Sequence, residues 1–275
     1  QLLKVLLSKL LDNSLIINPR KEYWIKDGIQ TYSMIKYVEK KYPDIKLAGN
    51  LSEFPGLKNL YASKLKYNEK YFLSIVHMDR INNSQNLNTP KDSLLKFNEK
   101  IANKYKSGLI LYNINKKNNL SEIIKNSLKL KNQNSVSYFK NELINKFKYS
   151  QESIDSILNL TTIDHLEYSL KKNKKINYPK HKPFQIKIGK DIEDPDYNHI
   201  YITPIISYKN IYDGVNLGAQ IHNKSIFKKE FNYKLKPLYS INSKQFSGSA
   251  IIYTSKNFRN KDLFMVNYGL YANIS

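Results

Sequence analysis

Five histidines and a single well-placed aspartate are the residues of this 275-residue chain that could support hydrolytic or metal chemistry. Two histidines four residues apart on a helix can bind one zinc ion, but no pair here has that spacing. The chain has no cysteine, which excludes thiolate metal sites, disulfides and a cysteine nucleophile. It also has no Gly-x-Ser-x-Gly elbow and no phosphate-binding loop. The histidines are His77, His165, His181, His199 and His222.

The aspartate, Asp27, lies in a stretch that predicts an amphipathic helix. Apolar residues recur there at steps of three and four, which places one apolar face against a core. They are Ile25, Ile29, Tyr32, Ile35 and Val38. Residues 24–32 resemble the W-L-x-E-G-x-x-x-Y segment of gluzincin metallo-aminopeptidases, with Asp27 at the acid. In that family the acid is the third zinc ligand, and the resemblance implies two histidine ligands in an H-E-x-x-H motif on the preceding helix.

Counting back from Asp27 by the family's spacing puts the two lost histidine ligands at Lys4 and Ser8, and the lost general base at Val5. A lysine ammonium repels a dication, a serine hydroxyl is a poor zinc ligand, and valine cannot accept a proton from water. The leucine-rich pattern of residues 2–11 still predicts a helix there. The resemblance therefore implies a peptidase-like domain that has lost its metal centre and needs no cofactor.

A second segment carries the same resemblance. Residues 104–108, Lys-Tyr-Lys-Ser-Gly, are similar to the Y-x-K-G segment of these peptidases, apart from Ser107 at the lysine position. The tyrosine hydroxyl of that segment stabilises the oxyanion of the tetrahedral intermediate in the family. By resemblance, Tyr105 is the positional relic of this tyrosine. The surrounding helix is predicted to begin at Thr89, with Pro90 in its first turn, and further helices are predicted to start near Ser121, Ser135 and Ser150.

The formal net charge of +22 raises the question of a nucleic-acid partner. The basic residues are spread along the whole chain and accompany no nucleic-acid-binding motif, so we expect no nucleic acid among its partners. The first residue is Gln1, and no targeting signal opens the sequence. We expect the chain to be a fragment of a longer protein.

From about residue 184 the hydrophobic period changes from helical to alternating. Long segments carry apolar side chains on one side, polar side chains on the other, and many tyrosines, as in outer-membrane β-barrels. A half-buried soluble sheet gives the same alternation, but strand length and tyrosine content favour the barrel. Residues 213–218 and 231–240 also resemble the C-terminal β region of Bacteroidetes-type relatives. About five long strands cannot close a barrel, which takes eight or more.

These patterns predict an α+β chain, with a helical gluzincin-like domain at residues 1–175 and an antiparallel β region, part of a barrel, at 176–275. The expected function is that of a non-catalytic peptidase-like protein anchored by the β region in the cell envelope, at the outer membrane, with a peptide or protein partner. One alternative is an active zinc metallopeptidase with unrecognised ligands, among which His77 near Asp79 is the best candidate. The other is an outer-membrane pore or anchor.

Overall fold

A computed structural model describes residues 2–55, 61–161, 183–189, 197–224, 229–258, 263 and 265–274. Helices come first and a six-stranded sheet follows, so the chain is α+β. The chain divides into two compact units. The first, called here the helical unit, holds residues 2–49, 66–79 and 84–161 of the described chain. The second, called the β unit, holds residues 50–55, 61–65, 80–83 and the described residues from 183 onward.

The helical elements are mostly α-helices. They are α1 (Leu2–Ser14), α2 (Tyr23–Lys41), α3 (Tyr61–Lys64), α4 (Glu69–Arg80), α5 (Asn103–Lys117), α6 (Ser121–Ser127), α7 (Ser135–Phe147) and α8 (Gln151–Asn159). Short 3₁₀ turns span Gly49–Glu53 and Lys91–Ser93, and a π turn spans Asn98–Ala102. Among these described helices, none is both long enough and apolar enough to cross a membrane.

The core of the helical unit forms around α2, whose apolar stripe is buried as predicted. The predicted helix starts near residues 121, 135 and 150 are confirmed. Two of these helices are capped by side chains: the Asn134 side chain accepts from the Ser137 N–H of α7, and the Ser150 hydroxyl accepts from the Ser153 N–H of α8.

The predicted helix start at Thr89 is wrong. The Thr89 hydroxyl donates to the Asn86 side chain at 2.8 Å and caps no helix. A short 3₁₀ turn, Lys91–Ser93, follows, and helical backbone begins only at residue 96, continuing through the π turn Asn98–Ala102 into α5. Side-chain hydrogen bonds within a loop therefore override the local capping signals here.

The sheet contains β1 (Phe184–Ile188), β2 (Asn198–Tyr208), β3 (Val215–His222), β4 (Phe231–Ser240), β5 (Phe246–Asn257) and β6 (Met265–Ile274), in that spatial order. Neighbours from β2 to β6 are antiparallel, but β1 pairs with β2 in parallel. The prediction of an entirely antiparallel region is therefore wrong at β1. Alternation assigns side chains to faces and is the same in either strand direction, so it cannot give the direction of pairing. The described sheet is open, with β1 and β6 at its edges.

Candidate functional site

Asp27 is paired with a cation supplied by the chain itself. The Lys104 ammonium of α5 lies 3.0 Å from the Asp27 carboxylate of α2, and the two side chains are only 19% and 16% exposed. At this depth the attraction between the charges is stronger than at the open surface. The carboxylate that corresponds to the third zinc ligand is therefore neutralised by a lysine of the other segment with peptidase resemblance.

A close helix crossing holds this pair in place. A Cβ at Gly108 of α5 would lie 2.4 Å from the Cβ of Thr31, and a Cβ at Gly28 of α2 would lie 3.0 Å from the Cδ1 of Leu111. Both glycines therefore allow the two backbones to approach more closely than other residues would. The two glycines belong to the two segments that carry the resemblance, and their contact brings Lys104 to Asp27.

Lys4, Val5 and Ser8, the three positions that the resemblance assigns to a lost zinc motif, lie on α1, which runs antiparallel to α2. The Lys4 carbonyl accepts from the Gln30 side chain at 2.9 Å, one turn beyond Asp27. The Ser8 hydroxyl donates to Asp12 at 3.4 Å, and Asp12 in turn contacts the Lys26 ammonium. The side chain of Val5 is exposed. Lys4 and Ser8 thus lie on the helix beside Asp27, and the Ser8 position joins a cluster of paired charges.

Polar contacts around Asp12 stabilise the charged form of its carboxyl group. The hydrogen bond from Lys26 is the main cause that holds the pKa of the Asp12 carboxyl below its usual value, and Ser8 and the Lys104 charge contribute in the same direction. A cavity of about 270 Å³ lies beside the cluster. Its lining combines apolar side chains with both signs of charge and comprises Leu11, Asp12, Leu15, Ile17, Pro19, Tyr23, Lys26, Asp27 and Lys91.

Tyr105 packs in a different direction from Lys104. Its ring meets that of Tyr71 edge to face, with 4.7 Å between the ring centroids. Burial, followed by the charge of Tyr67, raises the pKa of Tyr105 above its usual value. The structure therefore places Tyr105 in a tyrosine cluster, while its neighbour Lys104 contacts Asp27.

The residues present do not fit a zinc ion. Within the described ranges, no group of three or more histidine, cysteine, aspartate or glutamate side chains could hold a metal. Asp27 is paired with an ammonium, and Lys4 and Ser8 offer no imidazole. His77, the best candidate of the alternative, packs edge-on against Phe97 at 5.7 Å. His165 and His181 lie outside the described residues.

The β unit presents a second candidate site, the two faces of its sheet. Cross-strand partners share a face, so the register assigns each strand residue to one side. All of the buried strand residues lie on the same side, called here the polar face. They are His199, Tyr201, Asn216, His222, Asn232, Ser240 and Asn257.

On β2 to β4 the polar face is mostly buried or half-buried, and several of its side chains make hydrogen bonds or ring contacts, whereas on β6 its residues Asn267, Tyr271 and Asn273 are exposed. The Asn257 side chain donates to the Ile81 carbonyl at 2.7 Å, and the Asn232 side chain donates to the Lys229 carbonyl at 2.9 Å. The rings of Tyr201 and His222 stack at 5.5 Å. Burial, reinforced by Lys236, lowers the pKa of Lys234 on this face.

The opposite side, called here the apolar face, is apolar and exposed. It continues across all six strands, because the same register places the large exposed residues in neighbouring rows. The exposed members are Phe184, Ile186, Ile188, Ile206, Tyr208, Val215, Leu217, Phe231, Leu235, Tyr239, Phe246, Ile252, Tyr268, Leu270 and Ile274. A half-buried sheet in water has the opposite arrangement, with the apolar side covered.

Sequence reasoning identified Asp27 but missed its partner Lys104. The available signal was the resemblance of both segments to one family, which implies that they meet in the fold. Comparison with family models, with curated proteins and with solved structures finds no match to this chain.

Proposed function

We propose that the chain is a non-catalytic, peptidase-like protein of the cell envelope, anchored in an outer-membrane-type bilayer by its β unit. The single observation that carries the proposal is the uneven burial of the sheet: its buried strand residues all lie on the polar face, while the apolar face carries large exposed side chains on all six strands. Water is a poor solvent for the apolar face, since fully burying one large apolar side chain is worth about 1.5–3 kcal/mol. Lipid hydrocarbon removes this cost over the whole face.

Strand lengths also support a bilayer. A transmembrane strand needs about 9–11 residues. The strands β2, β4, β5 and β6 contain 11, 10, 12 and 10 residues. In lipid every backbone group must be paired, so the proposal requires further strands at the β1 and β6 edges to complete a barrel.

The polar face favours an anchor over an open pore. A water-filled lumen would leave its polar side chains hydrated. Asn216 is instead 2% exposed, and Tyr201, further along the same face, is fully buried. The polar face is thus mostly filled over β2 to β4, and the outer-membrane pore is the second candidate.

The helical unit is proposed to bind without hydrolysis. Hydrolysis in the family that it resembles depends on zinc to generate hydroxide near neutral pH and to polarise the carbonyl. Here Lys104 neutralises Asp27, and the positions of the other ligands carry Lys4 and Ser8. The cavity beside this pair has charges of both signs on an apolar wall, which suits a peptide or a protein segment as the partner.

The anchor is tested by refolding the full chain with phospholipid vesicles and floating the vesicles on a density gradient. We expect the wild type to float with lipid. A lysine on the lipid side near mid-bilayer costs about 2–4 kcal/mol, so Leu270→Lys should sharply reduce the floated fraction. Asn267→Lys is the matched control, because Asn267 lies on the same strand but on the polar side of the register. This control should float like the wild type.

Two results would oppose the anchor. The wild-type chain could stay monomeric and soluble without lipid, or it could form a lipid-independent oligomer that Leu270→Lys dissolves, which would make the apolar face a protein interface. For the helical unit, stoichiometric zinc together with turnover of amino-acyl reporter substrates would refute the non-catalytic proposal and support an active zinc metallopeptidase.

A further inference from the structure

We infer that two aromatic rows on the apolar face mark the two bilayer interfaces, with an aliphatic band between them that spans the hydrocarbon. This inference rests on the proposed membrane anchor and adds to it the depth of each residue. The first row, called row 1, contains Tyr208, Tyr239 and Phe246. The second, called row 2, contains Phe231 and Tyr268.

Register places each row at one end of the sheet. In row 1, Tyr239 of β4 pairs with Phe246 of β5, their rings lie 5.1 Å apart, and Tyr208 closes β2 at the same end. In row 2, Phe231 of β4 pairs with Thr254 of β5, which pairs with Tyr268 of β6. The two rows therefore run across neighbouring strands, as the aromatic girdles of membrane barrels do.

The band between the rows has no charged residue on β3 to β6, and its one aromatic residue is Tyr233, which pairs with Ile252 next to row 2. Its other members, all on the apolar face by register, are Ala219, Ile221, Leu235, Pro237, Gly248, Ala250, Ile252, Leu270 and Ala272. A groove of about 340 Å³ crosses the band where small residues such as Gly248, Ala250 and Ala272 leave room. A lipid acyl chain can fill such a groove without any polar contact.

The spacing of the rows is comparable with the apolar band of a bilayer. From Phe231 to Tyr239 the chain advances by eight residues, about 26 Å along the strand at 3.3 Å per residue, which a barrel tilt of about 35–45° reduces to about 18–21 Å along the membrane normal. The apolar band of outer-membrane barrels is about 25 Å tall. Beyond row 2, the apolar side of β5 carries its first charge, Lys256, whose ammonium lies 5.6 Å from the Phe258 ring centroid. That position suits a phosphate-bearing headgroup region.

The distribution of aromatics argues against a protein partner on this face. Protein interfaces concentrate their aromatic anchors near the centre and keep a polar rim. On this face the rings of Tyr239 and Tyr268 lie at opposite ends, and the centre is aliphatic. Tyrosine at two levels with aliphatic residues between them is the arrangement of a surface that meets two membrane–water interfaces.

The test is a depth profile of single cysteines, which is clean because the chain has none. Spin labels are attached to the full-length chain, refolded in phosphatidylcholine–phosphatidylglycerol vesicles, at five apolar-face positions of β5: Phe246→Cys, Ala250→Cys, Ile252→Cys, Thr254→Cys and Lys256→Cys. Accessibility to oxygen, which concentrates in lipid, is compared with accessibility to a water-soluble nickel chelate. Ser249→Cys on the polar face is the control, and Leu235→Cys and Tyr239→Cys repeat the profile on β4.

We expect the oxygen-to-nickel ratio to peak at positions 250 and 252, to fall towards 246 and 256, and to stay low at 249. A ratio that is high on the apolar face but greatest at 246 or 256 would refute the two rows while leaving the membrane anchor intact. A low ratio at every position would refute both the rows and the anchor. If a β5 variant fails to refold, the β4 variants take its place. The proposal then requires a higher oxygen-to-nickel ratio at position 235 than at position 239.

Discussion

The helical unit and the β unit bury opposite kinds of side chain. In the helical unit, Phe139 is fully buried and meets the ring of Trp24 edge to face at 6.4 Å. In the β unit, Phe246 is 78% exposed, while His199, His222, Asn216, Asn232 and Asn257 of its strands are buried. The two units therefore differ in which kind of side chain they cover. Composition alone hides this difference, because both regions mix apolar and polar residues.

The largest expected effect comes from truncating a phenylalanine in each region. Phe139→Ala should lower the free energy of unfolding of the helical unit by about 3–5 kcal/mol, because it opens a cavity in a closely packed core. Phe246→Ala, the matched control, should change the same quantity by less than about 0.5 kcal/mol, since it removes an exposed ring. Denaturant unfolding followed by helical circular dichroism and by the fluorescence of Trp24, the one tryptophan, measures both.

Equal losses of stability from the two truncations would contradict the difference in burial between Phe139 and Phe246. They would mean that the Phe246 ring is covered in solution and supports the helical unit as strongly as Phe139 does. If Phe246→Ala instead reduces only the fraction of protein that floats with vesicles, the difference between the units would be supported, because the ring would then act through contact with lipid.

Much of the fold follows from hydrophobic period. The α2 stripe at Ile25, Ile29 and Ile35 and the alternation along β3 and β4 each indicate their element directly, because burial on one face imposes that period. Strand length and tyrosine content favoured a barrel, whereas the described sheet is open. The parallel pairing of β1 and the late start of α5 could not be predicted, since they depend on contacts between residues distant in sequence or on competing loop hydrogen bonds.

Of the two paired residues of the candidate site, only Asp27 could be predicted from the sequence. Asp27 carries a recognisable pattern of neighbours, but Lys104 is one of many lysines in a chain with 45 basic residues. Only the crossing at Gly28 and Gly108 selects it. An ion pair between distant segments has no local signal, so the sequence could not predict that Lys104 lies beside Asp27.

A medium effect is expected from the Lys104 and Asp27 pair. Lys104→Met should destabilise the helical unit by about 2 kcal/mol, because it leaves a mostly buried carboxylate unpaired. The double variant Lys104→Met with Asp27→Asn should recover part of this loss, and the double-mutant cycle gives the coupling. Lys66→Met is the control, since its partner Asp44 is fully hydrated and such pairs contribute about 0–1 kcal/mol. Additive losses in the cycle would mean that the two charges do not interact.

The smallest expected effect concerns Asp12, at the exposed end of the same charge cluster. Lys26 and Ser8 lower the pKa of the folded Asp12 carboxyl below its unfolded value near 3.9. A group with a depressed folded pKa adds stability above the unfolded pKa and loses it as pH falls through the folded pKa. The wild type should therefore lose slightly more stability below about pH 4 than Asp12→Asn, while the difference between them stays constant from pH 5 to 7.

Denaturant midpoints of Trp24 fluorescence at a series of pH values measure this difference, and Asp44→Asn is the matched control at an open surface. If wild type and Asp12→Asn lose the same stability below about pH 4, the contact between Asp12 and Lys26 is absent in solution. The effect is small because more than half of the Asp12 side chain faces water, which screens the pair. The helical unit thus takes its stability mainly from a buried apolar core and only slightly from surface charges, whereas large apolar residues of the β unit, such as Phe246 and Leu270, are exposed.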